Sequence, residues 1–149
     1  MAAAEDVNLS YSFDKLFTPG EANELIPRLT VLMGELQVSA ATLRRGVADL
    51  MERDPQVQEL ALADIIQRWP ELRGPATRMA EIAQSIESHG CFLKDIDQGL
   101  IDFPWEKDED HVVFLCWQVG EPVVLAWHPL EGGIAQRKPL RSAPKPYLH

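Results

Sequence analysis

The feature that most constrains how this chain can fold is a set of apolar residues spaced seven apart in its first third. The set consists of Ala22, Leu29, Leu36, Leu43 and Leu50. Residues seven apart lie on one face of an α-helix, because seven residues complete about two turns. The spacing therefore predicts one helix from about Pro19 to Met51, whose apolar stripe must pack lengthwise against other elements.

The start of this helix carries a local signal of its own. Thr18 is suited to cap the first turn, Pro19 to occupy its first position, and Glu21 to complete a capping box. Pro27 falls inside the helix and removes one backbone hydrogen bond, so we expect a kink there rather than a break.

Further helical segments follow. Asp54 and Pro55 end the first helix, and the spacing from Val57 to Arg68 predicts a short second one. A last apolar stripe consists of Met79, Ile82, Ala83 and Ile86, and it ends at His89 and Gly90. We therefore expect residues 17–90 to form a long helical hairpin.

After Gly90 the apolar pattern changes from helical to strand-like. Four strands are predicted, at Cys91 to Ile96, Gly99 to Phe103, Val112 to Val119 and Val123 to His128. Gly120 and Glu121 suit a two-residue hairpin turn between the last two. Such a turn pairs Trp117 with Val124 and Val113 with His128.

The strand from Val112 to Trp117 is apolar on both faces, which is typical of a central, covered strand. We expect the helices to cover one face and either the tail or a partner subunit to cover the other. The predicted fold class is α+β, with a long N-terminal helical hairpin packed with a small C-terminal antiparallel sheet. Residues 1–149 form a single domain in this prediction, with a helical part at about 17–90, a sheet at about 91–130 and an extended tail at 131–149.

Composition limits the partners that this chain can have. Its net charge is -9, which repels phosphate backbones and anionic lipids, so nucleic acid and membrane surfaces are not expected as partners. We expect neither a secretory signal nor a membrane span, hence a cytoplasmic location. Cys91 and Cys116 do not have the spacing of a metal-binding pair and are predicted to be buried free thiols.

Several short motifs along the chain, taken together, resemble those of a known family. They are Phe17-Thr18, Glu21-Ala22-Asn23, Leu25-Ile26-Pro27-Arg28, Lys94-Asp95-Ile96-Asp97, Gly99 to Pro104, Cys116-Trp117, Gly120-Glu121 and Trp127-His128. Over nearly the whole chain they resemble a bacterial family of uncharacterised proteins, domain of unknown function 2203. The resemblance implies no reaction and no catalytic residues. The stretch from Trp69 to Pro75 departs from it, being richer in proline than the second helix of the family.

The densest set of candidate ligands lies in the predicted sheet. It comprises Asp95, Asp97, Asp102, Glu121 and His128. Carboxylates with an imidazole are able to hold a divalent metal, here manganese, iron or zinc by ligand type. The alternative is structural, since aspartates beside turns often bond to local backbone and a histidine at a strand end is often a hydrogen-bonded structural group.

Two other arrangements of this region are open. Cys116 with His128 is a possible nucleophile and base, although a strand interior buries its thiol and the predicted turn places the two on opposite faces. Trp105, Trp117 and Trp127 are able to line a pocket for a flat ligand, but aromatic residues of a small sheet more often form core or interface.

The length of the first helix suggests self-association. A helix from Pro19 to Met51 is longer than one small sheet can cover, so part of its stripe is predicted to pack against a second copy or another protein. Leu36→Asp or Leu43→Asp then disrupts a homodimer. The alternative is that the second helix alone covers the stripe.

The C-terminal tail is basic, through Arg137, Lys138, Arg141 and Lys145. These residues either bind an acidic surface, that of this protein included, or remain solvated. The function predicted from the sequence is a non-enzymatic interaction or scaffold role through the helices, with a divalent-metal-binding protein or metalloenzyme as the alternative. Whether the protein is an enzyme stays open at this point.

Overall fold

The computed structural model describes residues 13–140, which form an α+β fold, as expected from the sequence. The helices are α1 (Pro19–Arg53), α2 (Leu62–Arg68) and α3 (Arg73–Glu87), with 3-10 turns at Pro55–Glu59, Pro70–Leu72 and Ile134–Gln136. The strands are β1 (Phe92–Asp95), β2 (Leu100–Asp108), β3 (His111–Gln118), β4 (Ala126–His128) and β5 (Lys138–Pro139). They form one antiparallel sheet in the order β1-β2-β3-β4-β5.

The long helix is confirmed together with its capping box. The Thr18 hydroxyl accepts from the Glu21 amide at 3.1 Å, and the Glu21 carboxylate accepts from the Thr18 amide at 3.0 Å. The helix continues through Pro27 and ends at Arg53, where the Asp54 amide donates to the Leu50 carbonyl. No helix among residues 13–140 is both long and apolar enough to cross a membrane.

Two apolar clusters cover the stripe of α1 from within the same chain. In the first, which we call the sheet core, the N-terminal half of α1 packs on α3 and on one face of the sheet. In the second, the helical core, Leu43 and Leu50 pack on Val57, Ile65 and Leu72. Leu36 and Leu43 are both buried within the chain. They therefore offer no exposed apolar surface for self-association through the predicted stripe.

The connection between β3 and β4 corrects the predicted turn. Residues 119–125 form a longer loop, in which the Glu121 carbonyl accepts from the Trp117 indole at 2.8 Å. The Val124 amide donates to the Asn23 side chain on α1 instead of to β3. The predicted pairs, Trp117 with Val124 and Val113 with His128, are therefore wrong by one residue. The observed pairs are Phe114 with His128, Leu115 with Trp127 and Cys116 with Ala126.

This shift of one residue has a chemical consequence, because it moves side chains to the other face of the sheet. Cys116 and His128 were predicted to lie on opposite faces, and they lie on the same one. That face also carries Asp102 and Phe114, and it is turned away from α1.

The second face is covered in part by this chain's own residues. The Phe13 ring meets the rings of Phe92 and Phe114 edge-on, each at 5.8 Å between centroids. After β4 the chain turns back, and the Arg137 guanidinium donates to the Cys116 carbonyl at 3.3 Å. β5 then pairs with β4 and extends the sheet by one short strand. Arg141 and Lys145 lie outside the described residues.

Strand β2 is longer than predicted and includes Pro104. Proline lacks the amide hydrogen with which a residue in a central strand bonds to a neighbouring strand, but β1 pairs with β2 only as far as Asp102. Beyond that point the Pro104 carbonyl accepts from the Phe17 amide at 2.7 Å. The segment before α1 therefore continues the edge where β1 ends.

Candidate functional site

A buried polar network lies on the sheet face that is turned away from α1. Asp102 and His128 are only 2% and 1% exposed, and the His128 Nε2 lies 2.9 Å from the Asp102 carboxylate. The other ring nitrogen, Nδ1, lies 2.7 Å from the Pro129 carbonyl. The Lys94 ammonium approaches the same carboxylate oxygen at 3.3 Å. The carboxylate of Asp102 therefore lies between the His128 ring and the Lys94 ammonium.

The hydrogen-bond partners of His128 favour protonation of both ring nitrogens. A backbone carbonyl only accepts, and an ionised carboxylate only accepts, so both ring nitrogens are satisfied when both carry protons. Burial disfavours the charged ring, but the hydrogen bonds to Asp102 and Pro129 outweigh burial and raise the pKa of His128 above its ordinary value. The geometry thus favours an imidazolium at His128, held between the Asp102 carboxylate and the Pro129 carbonyl.

Cys116 adds a thiol to this face, opposite Asp102 on the neighbouring strand. Burial and the negative charge of Asp102 raise the pKa of the Cys116 thiol to about 12. A thiol that keeps its proton at neutral pH is a poor nucleophile. The shared face thus brings Cys116 to the histidine without activating it.

Asp102, Cys116 and His128 are also the donors that come close enough to hold a cation. One ligand atom from each lies within 4.8 Å of the others, and no further group of three such residues occurs among residues 13–140. A metal at this position must displace the protons of His128 and Cys116 and lie near the Lys94 ammonium. A metal site in this region would therefore use Asp102 and His128 from the predicted set together with Cys116.

Glu121 has a different partner. Both of its carboxylate oxygens accept from one nitrogen of the Arg137 guanidinium, at 3.1 and 2.9 Å, and each side chain is 19% exposed. The same carboxylate accepts from the Gln118 amide and so holds the loop after β3. Arg137 therefore binds an acidic residue of its own chain, which is one of the two roles considered for the basic tail.

Asp95 and Asp97 also lie outside the buried network. The Asp95 carboxylate accepts from the Gln98 amide at 2.8 Å and supports the turn between β1 and β2. The Asp97 carboxylate pairs with the Arg44 guanidinium at 2.9 Å, where both side chains are mostly exposed. Three of the five predicted metal ligands thus have structural or surface partners of their own.

Asp95 and Asp97 both lie beside a large apolar groove. The groove has a volume of about 800 Å³ and runs between the C-terminal half of α1, α2, α3 and the end of β1. Its apolar lining includes Leu43, Val47, Met51, Leu62, Met79 and Ile96, and its polar rim is formed by Arg44, Lys94, Asp95 and Asp97. Leu62 forms part of the lining although 51% of it is exposed.

The groove exists because α1 is longer than the sheet beneath it. β1 is four residues long and lies at the edge of the sheet, so the C-terminal part of α1 extends past it. The short α2 and its flanking 3-10 turns cover only one side of that part. The mismatch between helix and sheet was visible in the sequence, but the residues that line the opening were not. The predicted tryptophan pocket does not form here, since the described lining contains no tryptophan.

Comparison with known proteins identifies a family. Residues 15–140 match the family model described as "Uncharacterized conserved protein (DUF2203)". No curated protein and no solved structure matches the chain significantly.

Proposed function

Because the chain belongs to the DUF2203 family of uncharacterized conserved proteins, whose description names no activity, we propose a function from the site alone. We propose that this protein is a non-enzymatic binding protein whose groove takes a small amphipathic molecule, with an elongated apolar body and a polar end. The single observation that carries the proposal is the apolar groove between α1, α2, α3 and β1.

The size and lining of the groove support this function. Ligand sites usually have volumes of about 300–1,000 Å³ and mostly apolar walls, and the groove falls in this range with about 800 Å³. Met51 and Met79 contribute flexible side chains, which adapt their shape to an occupant. Leu62 exposes apolar surface that a bound molecule would cover.

The rim supports a polar end for the ligand. Arg44 and Asp97 form an exposed ion pair, and such pairs contribute only about 0–1 kcal/mol, so either partner is free to turn to a ligand. The described lining contains no cysteine, histidine or serine, and its carboxylates lie at the rim. This composition supports binding rather than nucleophilic catalysis.

The experiment is a calorimetric titration with a series of alkyl chains that carry a sugar, amine or carboxylate head, all below their micelle concentrations. Each added CH₂ should tighten binding about fourfold, the equivalent of ~0.8 kcal/mol. The head group that binds most tightly then identifies the polar end. Affinity that does not depend on chain length would exclude an apolar site.

Two variants and one control locate the binding. Leu62→Glu places a charge in the lining, and it should fold well because an acidic residue is favourable in the first turn of α2. Ala48→Trp fills the groove from α1. Leu125→Glu is the matched control, since Leu125 is 49% exposed and does not line the groove. The proposal requires the first two to weaken binding and the control to leave it unchanged.

The setting that we propose for this binding is the bacterial cytoplasm. The support is the family resemblance and the composition described above, with two buried cysteines that form no disulfide.

A further inference from the structure

The outward face of α1 carries an apolar stripe that nothing among the described residues covers. Val31 is 53% exposed and Val38 is 67% exposed, and they lie seven residues apart on one side of the helix. Gly34 lies between them, and a side chain placed there would meet no atom within 4 Å. This stripe is separate from the buried one at Leu36 and Leu43, and from the ligand groove.

Two charged residues flank the stripe symmetrically. At 100° per residue, Glu24 and Arg45 lie on the same side of α1 as Val31 and Val38, about 32 Å apart along the axis. The midpoint between Glu24 and Arg45 is also the midpoint between the two valines, next to Gly34. Neither charge forms an ion pair within residues 13–140.

We propose that α1 pairs with α1 of a second copy, antiparallel, around a two-fold axis at Gly34. In this arrangement Val31 of each copy meets Val38 of the other, and Glu24 of each copy meets Arg45 of the other. A parallel pair would instead set Glu24 against Glu24 and Arg45 against Arg45. Charge complementarity between Glu24 and Arg45 therefore favours two copies in the antiparallel orientation, and Gly34 lets the two helices approach closely. Glu35 also lies beside the axis, but Arg78 of the same copy pairs with it at 3.1 Å and offsets its charge.

The interface is small, because it uses one face of one helix. Interfaces of this size are at the weak end of those that proteins form, so we expect a dissociation constant in the micromolar range. Sedimentation equilibrium of the full chain, up to about 100 µM, measures it directly. A wild-type protein that stays monomeric over this range overturns the proposal.

The valine stripe is tested by Val38→Glu, with Leu125→Glu as the control on another exposed surface. The first should weaken dimerisation at least tenfold, because a charge replaces an apolar contact at both symmetry-related positions. The control should have no effect. Equal effects of the two variants count against the stripe.

The orientation is tested by charge reversal. Glu24→Arg and Arg45→Glu each create two like-charge contacts in an antiparallel homodimer, so each variant alone should dimerise about tenfold more weakly at low salt. An equal mixture of the two variants places opposite charges at both contacts and should restore a heterodimer of wild-type affinity. A mixture that associates no better than its components overturns the antiparallel arrangement, even if Val38→Glu dissociates the dimer.

Discussion

Replacing Asp102 with alanine tests whether the buried network is ionised, as its geometry indicates. The substitution removes the shared acceptor of His128 and Lys94, both of which then lose a charged hydrogen bond. Breaking a buried ion pair by removing one partner costs about 3–5 kcal/mol.

The lower end of that range applies here, for two reasons. His128 can release the proton on Nε2 and keep the other one on Nδ1 for the Pro129 carbonyl, so it need not stay charged and unpaired. Lys94 is partly exposed and regains water. We therefore expect Asp102→Ala to lower the free energy of unfolding by about 3 kcal/mol at neutral pH.

The assay is urea denaturation followed by circular dichroism, with Asp97→Ala as the control. Asp97 also pairs with a cation, but at the surface, so its loss should change the free energy of unfolding by less than about 0.5 kcal/mol. His128→Ala and the double variant complete a cycle. The losses in free energy of unfolding caused by the two single variants should together exceed the loss in the double variant by about 2 kcal/mol, because both single variants remove the same interaction. A cost below about 1 kcal/mol for Asp102→Ala, or fully additive effects, would refute the buried ion pair.

The remaining predictions concern the same network. The pKa of His128 is raised in the folded protein above its ordinary value of 6.5, so its stabilising contribution is fully present below about pH 6.5 and is lost as the pH rises through the folded pKa. The difference in urea stability between the wild type and His128→Ala should therefore shrink from mildly acidic to alkaline pH, and a difference that grows contradicts the assignment. Elemental analysis of protein purified without chelator should find no near-stoichiometric manganese, iron or zinc, because a metal must displace two protons beside Lys94. Metal that is present in the wild type and lost in His128→Ala would show instead that Asp102, Cys116 and His128 are ligands.

The long first helix was predictable because its signals are local. The capping box needs only Thr18 and Glu21, three residues apart, and the stripe of α1 needs only its spacing. The change from a helical to a strand-like apolar pattern after Gly90 was equally predictable from the sequence. The residues that determine these elements are close to one another in the sequence.

The sheet register was not predictable because its cause is tertiary. Gly120 and Glu121 have the composition of a short turn, but the Val124 amide bonds to Asn23, about a hundred residues earlier in the chain. The longer loop shifts β4 by one residue and brings His128 to the face of Cys116. Residue type identified Asp102 and His128 as chemically notable, whereas their pairing depended on that shift.

The arrangement of α1 across two apolar clusters has a consequence for how the protein opens. The sheet core is formed by α1, α3 and the sheet, while the helical core joins the far end of α1 to short segments with few neighbours. A cooperative unit with fewer buried apolar contacts needs less free energy to unfold locally than the rest of its domain. Amide hydrogens of α2 should therefore exchange with solvent sooner than those of β2 and β3. α2 contributes to the wall of the groove. The same local unfolding would therefore let a bulky molecule enter the groove while the sheet stays folded.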